Sequence, residues 1–508
     1  MPWPSRMTRN AQPIGRHLLL ACCGLLAILS TPAASFQPQL TPVYSLMDRH
    51  ELPHSALSIA AVPLNGAGEA RLANSSAAFN PGSIMKVLTS FAALELLGPN
   101  FQWHSRFYTD GELIDGVLEG NLYFQAAGDP KLTEERLWLI LRELRFTGIH
   151  TIRGHLVLDN SAFNLPHGLP AFADSGNDPH RPFLVEPDAL LTNLNLVQVR
   201  LRSSGEQVHG WIEPPMAGVV LDNQLTLTTN GPCPNRHQLH FIPKTEKTGA
   251  VTVTVSGRFP AHCQLNNYLS VLPQDQYTAE LLFSLWHALG GHWDGGFAIG
   301  NVPEGSRLLA TSSSPDLVTM VRDVNKWSNN VMARQIFLTL GAKYRQESDR
   351  DDLQAARRTV HEWLTSKGLN TTSLYIDNGS GLSRDSRISA NLMVELLQHA
   401  WQSPYAAELV ASLPLVAMDG TMRRRLTGTN LVGRGHIKTG TLKDVRSIAG
   451  FTRDENNTTW AVVAMVNHPR ANRSEAALDS LLKQIHLASR QAPLTTAQRH
   501  QDSDTLSQ

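Results

Sequence analysis

A change of pattern in mid-chain constrains this sequence most. Before about residue 100 two short strands lead into a helix, and from about residue 275 apolar residues again recur at helical spacing. Between those points the chain alternates in period two and is broken repeatedly by Pro and Gly. Helical segments on both sides of a β-rich stretch predict a discontinuous domain, 36–100 with 275–490. Residues 101–274 then form an inserted region of one or two β-rich modules. A chain of 508 residues has room for both.

In the first segment, 56–62 reads as a buried strand, 64–68 as a turn and 69–72 as a returning strand. Asn80-Pro81-Gly82 then interrupts the pattern. Met85, Leu88, Ala92 and Leu96 mark a helix that starts at Ser83 and is stopped by Gly98-Pro99. In the insertion, strands are expected at 117–124, 155–158, 198–201, 219–227 and 251–255, with a helix at 134–146. Helices follow at 279–289, 316–340, 353–366 and 391–401. Strands at 448–452 and 460–466 flank Asn456-Asn457, a hairpin signal. An amphipathic helix closes the fold at 474–489, and the polar, aperiodic residues 491–508 read as a disordered tail.

Residues 1–35 read as a cleavable export signal. Arg6, Arg9, Arg16 and His17 precede an apolar core at 18–29, and Ala33-Ala34-Ser35 offers small residues for cleavage. That core is too short to span a bilayer comfortably, so a soluble mature chain outside the cytoplasm is expected, with membrane contact at most peripheral. Leu19-Leu20-Ala21-Cys22 loosely resembles a lipoprotein cleavage site, but too few apolar residues precede Cys22 for a signal core. Only Cys233 and Cys263 survive cleavage, and an oxidising compartment favours a disulfide between them. Two cysteines alone make a weak zinc site. Neither metal nor cofactor is expected. Lys+Arg and Asp+Glu total 44 each, leaving no basic face for nucleic acid. The cluster Arg423 to Arg425 reads as a solvated helix end or loop.

Three short motifs carry chemistry. Ser83-Ile84-Met85-Lys86 puts a hydroxyl and an amine three residues apart at a helix start, on one face, as a serine nucleophile with a lysine base requires. The helix N-terminus also turns backbone N–H groups toward developing negative charge. Ser328-Asn329-Asn330 lies in the later helical region, and Lys438-Thr439-Gly440 follows a Gly-rich turn. Each has a double: Ser480-Leu481-Leu482-Lys483, Ser175-Gly176-Asn177 and Lys247-Thr248-Gly249. Order and context single out the first set. Ser-x-x-Lys on the first helix, Ser-x-Asn among later helices and Lys-Thr-Gly on a late strand form the penicillin-recognising signature.

With these motifs the sequence resembles the low-molecular-mass class C penicillin-binding proteins, the D-alanyl-D-alanine carboxypeptidase/endopeptidases. Further matches are Phe79-Asn80-Pro81-Gly82, the run from Ala92 to Pro99, the run from Asp377 to Arg384, Asp419-Gly420-Thr421-Met422 and Ile448-Ala449-Gly450-Phe451. The long gap between Ser83 and Ser328 is itself a mark of that class. The resemblance implies an α/β (α+β) fold of the penicillin-binding/serine β-lactamase type, an antiparallel sheet between helices. It implies peptidoglycan stem peptides as substrates and β-lactams as inhibitors. Ser83 would be the nucleophile and Lys86 its base, with Ser328 relaying a proton and Asn330 steadying Lys86 and the substrate amide. Lys438 and Thr439 would attract the terminal carboxylate, and Gly440 would let the peptide lie flat on the strand. Ser83 and Thr441 would supply the oxyanion amides. Asp159, Phe163 and Arg384 would contact the diaminopimelate side chain. Lys443 stands where relatives can carry a neutral Gln, a departure that bears on side-chain preference. A β-lactamase would share the motifs, but it is usually much shorter and needs a deacylating Glu-x-x-Leu-Asn stretch that is absent here. A wall-binding scaffold with a decayed peptidase fold would lose its chemical residues first, and all three motifs are intact.

Overall fold

The computed structural model describes residues 38–65, 68–166 and 180–488. The expected signal at 1–35 with Cys22, the Ser175-Gly176-Asn177 double and the tail at 491–508 lie outside the described residues.

Five antiparallel strands make the central sheet, in the order Arg71–Ala73, Leu57–Pro63, Thr459–Asn467, Val445–Arg453, Gly435–Leu442. The middle strand, Thr459–Asn467, is buried at every residue but Asn467. Successive strand side chains point to opposite faces, and both faces here are covered. Ala461, Val463 and Met465 join a core with Phe91, Val324 and Phe337. Val462, Ala464 and Val466 join another with Met47 and Leu481, from the helices Thr41–Arg49 and Glu475–His486. Each fully buried Val or Leu contributes about 1.5–3 kcal/mol relative to exposure, which is why these strands read as continuous apolar runs. The tight Asn456-Asn457 turn forms as expected. Asn457 sits at φ +62°, and Asp454 Oδ1 accepts from the N–H groups of Asn456 and Thr458 at 2.9 Å.

The first helix begins later than expected. Gly82–Ile84 is a 3₁₀ turn and the α-helix runs Met85–Leu96, buried continuously from Met85 to Leu94. Burial on every side carries Lys86 into the core with the apolar residues around it. The expected single helix at 316–340 is two, Leu317–Trp327 and Asn330–Lys343. Ser328 between them is left-handed, with φ +57°, and Asn329 caps the second helix by accepting from Met332 N at 3.0 Å. Periodicity runs through the break because Val321, Val324, Val331 and Met332 are buried on both sides of it.

In the insertion, the helix Glu134–Phe146 has the expected limits. The expected strand at 117–124 is two, Val117–Glu119 and Leu122–Gln125, which belong to different sheets. Between them Gly120 abuts Gly111 so closely that a Cβ on Gly120 would fall 2.5 Å from Gly111 Cα. No side chain fits there, and the chain steps from one sheet to the next. Two three-stranded sheets follow, ordered Val208–Glu213, Val197–Ser203, Gln264–Leu269 and Val219–Thr228, Val251–Pro260, His240–Thr245. Cys233 is bonded to Cys263. The expected return to the outer domain at 275 comes later in the packing. Gln274–Ala288 contributes Tyr277, Leu281 and Trp286 to the insertion core, and Arg307–Ser313 pairs with His104–Thr109. Among the described residues no helix is long and apolar enough to cross a membrane, and no group of His, Cys, Asp and Glu could hold a metal. The Arg423–Arg425 cluster is only partly solvated, because Arg425 pairs with Asp479.

Candidate active site

The fold brings the three motifs to one point. Lys86 is fully buried, and its amine makes three hydrogen bonds: to Ser83 Oγ at 2.9 Å, to Asn330 Oδ1 at 2.6 Å and to the Ser380 carbonyl at 2.6 Å. Lys438, also fully buried, donates to Ser328 Oγ and to the Thr439 carbonyl, both at 2.8 Å. Removing these amines from water disfavours their charged forms. Burial, and then the charge of Lys438, hold Lys86 well below the usual lysine range. Burial brings Lys438 down to about 7.

Asn330 Oδ1 and the Ser380 carbonyl can only accept hydrogen bonds. A neutral Lys86 therefore commits its two N–H bonds to them and leaves its lone pair facing the Ser83 hydroxyl. That is the state a general base needs, and burial with the nearby Lys438 charge favours it.

Glycines set the close approach between serine and strand. A Cβ on Gly440 would fall 2.1 Å from Ser447 Oγ, 2.7 Å from the Pro81 carbonyl and 2.9 Å from Ser83 N. Its bareness is thus required from behind, by the turn that carries Ser83. Gly82, at φ +53°, faces the same strand, and a Cβ there would lie 3.5 Å from Thr441 N. The backbone amides of Ser83 and Thr441 consequently lie on either side of this contact. A Cβ on Gly381, at φ +76°, would overlap the Gly82 carbonyl at 1.9 Å. Asn80 fastens the turn, donating to the Ser383 carbonyl at 2.9 Å and accepting from Gly82 N at 2.9 Å.

In front of Ser83 lies an open cleft of about 420 Å³, lined by Ser83, Ser328, Asn330, Thr439, Thr441 and Lys443. One wall is Gly435–Leu442, the edge strand of the sheet, where an extended peptide can add by strand pairing. Five further lining residues carried no expected role: Arg181 and Phe183 from the insertion, Leu382, Thr421 and Leu442. Thr421 accepts from Thr439 Oγ1 at 2.8 Å, and its loop is held by the Lys326–Asp419 ion pair at 2.7 Å. Leu382 and Thr421 belong to runs that sequence matching singled out. Arg181 and Phe183 left no local signal, being placed by packing of Phe183 and Leu184 on Leu382, Leu442 and Val445.

Three expected contacts are not among the residues lining the cleft. The Asp159 carboxylate accepts from Ser161 N at 3.0 Å, Gln125 Nε2 at 3.2 Å and Val302 N at 3.2 Å. Burial raises its pKa, these bonds outweigh that, and the net displacement is downward. Phe163 packs with Ala189 and Leu338 and covers Gly128. Arg384 pairs with Asp444, in the turn that follows the edge strand. Both other doubles fall outside the site: Gly249 takes a turn conformation at φ +86°, and Ser480 lies in the closing helix.

Comparison with known proteins identifies the family and the fold. The family model described as the D-Ala-D-Ala carboxypeptidase 3 (S13) family matches residues 42–485. A D-alanyl-D-alanine carboxypeptidase DacB of Haemophilus influenzae is 27% identical over 413 residues, 78% of this chain and 81% of its own. A D-alanyl-D-alanine carboxypeptidase of an Actinomadura species is 26% identical over 396 residues, 73% of this chain and 70% of its own. The crystal structure of penicillin binding protein 4 (dacB) from Haemophilus influenzae has the same fold. Its TM-score is 0.72 at 24% identity, over 88% of this chain and 98% of that one. The same protein solved with a β-lactam aligns at a TM-score of 0.66 and 23% identity, over 87% of this chain and 99% of that one. The chain belongs to the D-Ala-D-Ala carboxypeptidase 3 (S13) family and is a serine-type D-Ala-D-Ala carboxypeptidase.

Proposed function

We propose that Ser83 is the nucleophile of an exported peptidoglycan D,D-peptidase and Lys86 its base. The observation that carries this reading is the fully buried Lys86 amine 2.9 Å from Ser83 Oγ, with burial and the Lys438 charge favouring its neutral form. Ser83 Oγ adds to the carbonyl carbon between the two terminal D-Ala residues as its proton passes to Lys86. The oxyanion takes hydrogen bonds from the amides of Ser83 and Thr441. Collapse breaks the C–N bond, and the proton held by Lys86 passes through Ser328, which Lys438 holds in place, to the departing amine. Lys86 is left neutral to take a proton from the attacking water and return it to Ser83. Water then hydrolyses the ester, returning Ser83. Charged Lys438, with Thr439, draws the terminal carboxylate.

In a wall cross-link the same D-Ala carbonyl is joined to the side-chain amine of a second stem peptide. Only the leaving group changes, so the cleft serves as an endopeptidase site as well. A β-lactam presents a strained amide to the same nucleophile and leaves a stable ester on Ser83. Residues 1–35 direct export, and the inserted region, which takes in Gln274–Ala288 and Arg307–Ser313 as well as residues 101–274, flanks the cleft through Arg181 and Phe183. Arg384 pairs with Asp444, next in sequence to the cleft residue Lys443.

Ser83→Ala and Lys86→Ala should each abolish D-Ala release from a D-Ala-D-Ala pentapeptide, by at least about 10³-fold for a serine–base unit. Release at the wild-type rate by either variant overturns the assignment.

A further inference from the structure

A second groove, of about 280 Å³, lies in the inserted region, and Arg181 lines both it and the catalytic cleft. Its walls are two strands that each end a sheet, His240–Thr245 and Gln264–Leu269. An edge strand presents unpaired N–H and C=O groups in a row, a ready seat for an extended peptide. The side chains around these edges are Arg181, Arg236, His237 and His240, with Ile242 58% exposed and Tyr268 49% exposed between them. Among the described residues no Asp or Glu lines the groove, in a chain whose acids and bases balance at 44 each. Open strand edges, apolar surface and one sign of charge together select an extended peptide that carries carboxylates.

The link between groove and cleft is built into the backbone. His180 Nδ1 lies 2.8 Å from the Ser270 carbonyl, and Ser270 N donates to the His180 carbonyl at 2.9 Å. These bonds fix the segment to the end of the Gln264–Leu269 strand. Three residues on, Phe183 and Leu184 pack on Leu382, Leu442 and Val445 beside the catalytic strand. Arg181 is held between the two anchors.

We propose that this groove binds the second, leaving-group stem peptide of a cross-linked wall fragment, through its free carboxylates and an added strand. The inference rests on the proposed D,D-peptidase reading and adds to it a preference for cross-linked over single-stranded substrate. A single stem peptide fills the cleft alone, whereas a cross-linked dimer spans both.

The test is fluorescence anisotropy on the full mature chain carrying Ser83→Ala. The probes are a labelled cross-linked muropeptide dimer and a labelled uncross-linked pentapeptide. Adding Arg236→Glu, an exposed position outside the catalytic machinery, should weaken dimer binding about fivefold and leave pentapeptide binding unchanged, the size expected for reversing one exposed charge contact. Arg236→Gln, which neutralises without reversing, should give a smaller loss of the same kind. Equal dimer affinity with and without these changes overturns the proposal, and so does equal weakening of both probes. D-Ala release from the pentapeptide by the chain with Ser83 intact is measured separately. Its absence would sink the catalytic reading while the binding comparison still decides the groove.

Discussion

At the scale of single residues, two buried amines need opposite protonation states. Lys86 is a base only when neutral, and burial and the nearby Lys438 charge favour that form. Lys438 draws a carboxylate only when charged, and burial has brought its pKa to about 7. Its charge is therefore present below about 7 and lost as pH rises through that value. KM for a D-Ala-D-Ala peptide should rise between about pH 6 and pH 9 as Lys438 deprotonates. Steady-state kinetics across that range checks this, and a KM that stays flat contradicts the role given to Lys438. Gly440 gives a second residue-scale expectation. Gly440→Ala would drive a methyl into Ser447 Oγ, the Pro81 carbonyl and Ser83 N. Displacing an oxyanion donor should slow Ser83 acylation by about 10²–10³-fold, read as the rate of penicillin labelling. A labelling rate within about threefold of wild type would show that the turn carrying Ser83 yields without cost.

At the scale of elements, the break between Leu317–Trp327 and Asn330–Lys343 is what aims Ser328 at Lys438 and Asn330 at Lys86. Asn329 holds that break by capping the second helix. Asn329→Ala should lower unfolding free energy by about 1 kcal/mol and also slow acylation, because the helix start that it fixes carries Asn330. Denaturant titration with penicillin labelling tests both, and a stability loss with unchanged acylation would separate the cap from the site. This element also shows what the sequence could disclose. Motif order pointed to Ser83, Lys86, Ser328, Asn330 and Lys438, which the fold brings together. Period-two and period-3.6 patterns located the central sheet and most helices. The helix break escaped because buried apolar residues continue through it. Roles for Asp159 and Phe163 were carried over from a local pattern, while long-range contacts with Gln125, Val302 and Leu338 decide where those side chains go. The Ser380 carbonyl was equally invisible, since a backbone atom 294 residues from Lys86 leaves no mark in composition or spacing.

At the scale of the whole molecule, the insertion has its own core and its own covalent tie, yet contributes Arg181 and Phe183 to the cleft. The Cys233–Cys263 bond closes a loop of 30 residues, and its loss should lower unfolding free energy by about 3–4 kcal/mol on the loop-entropy estimate. Denaturation of a Cys233→Ser/Cys263→Ser chain would measure this. Ser83 in that chain should still be acylated, because its partner Lys86, and Asn330 and Ser380 that hold Lys86, lie outside the insertion. An unchanged unfolding midpoint would contradict the stabilising role. The central claim, that the buried Lys86 makes Ser83 the nucleophile, is tested most directly by treating the folded mature chain with fluorescent penicillin and mapping the adduct by mass. A single stable adduct on Ser83, lost in Ser83→Ala and slowed at least about 10³-fold in Lys86→Ala, is the predicted result. No adduct on folded protein, or an adduct on another residue, would contradict it.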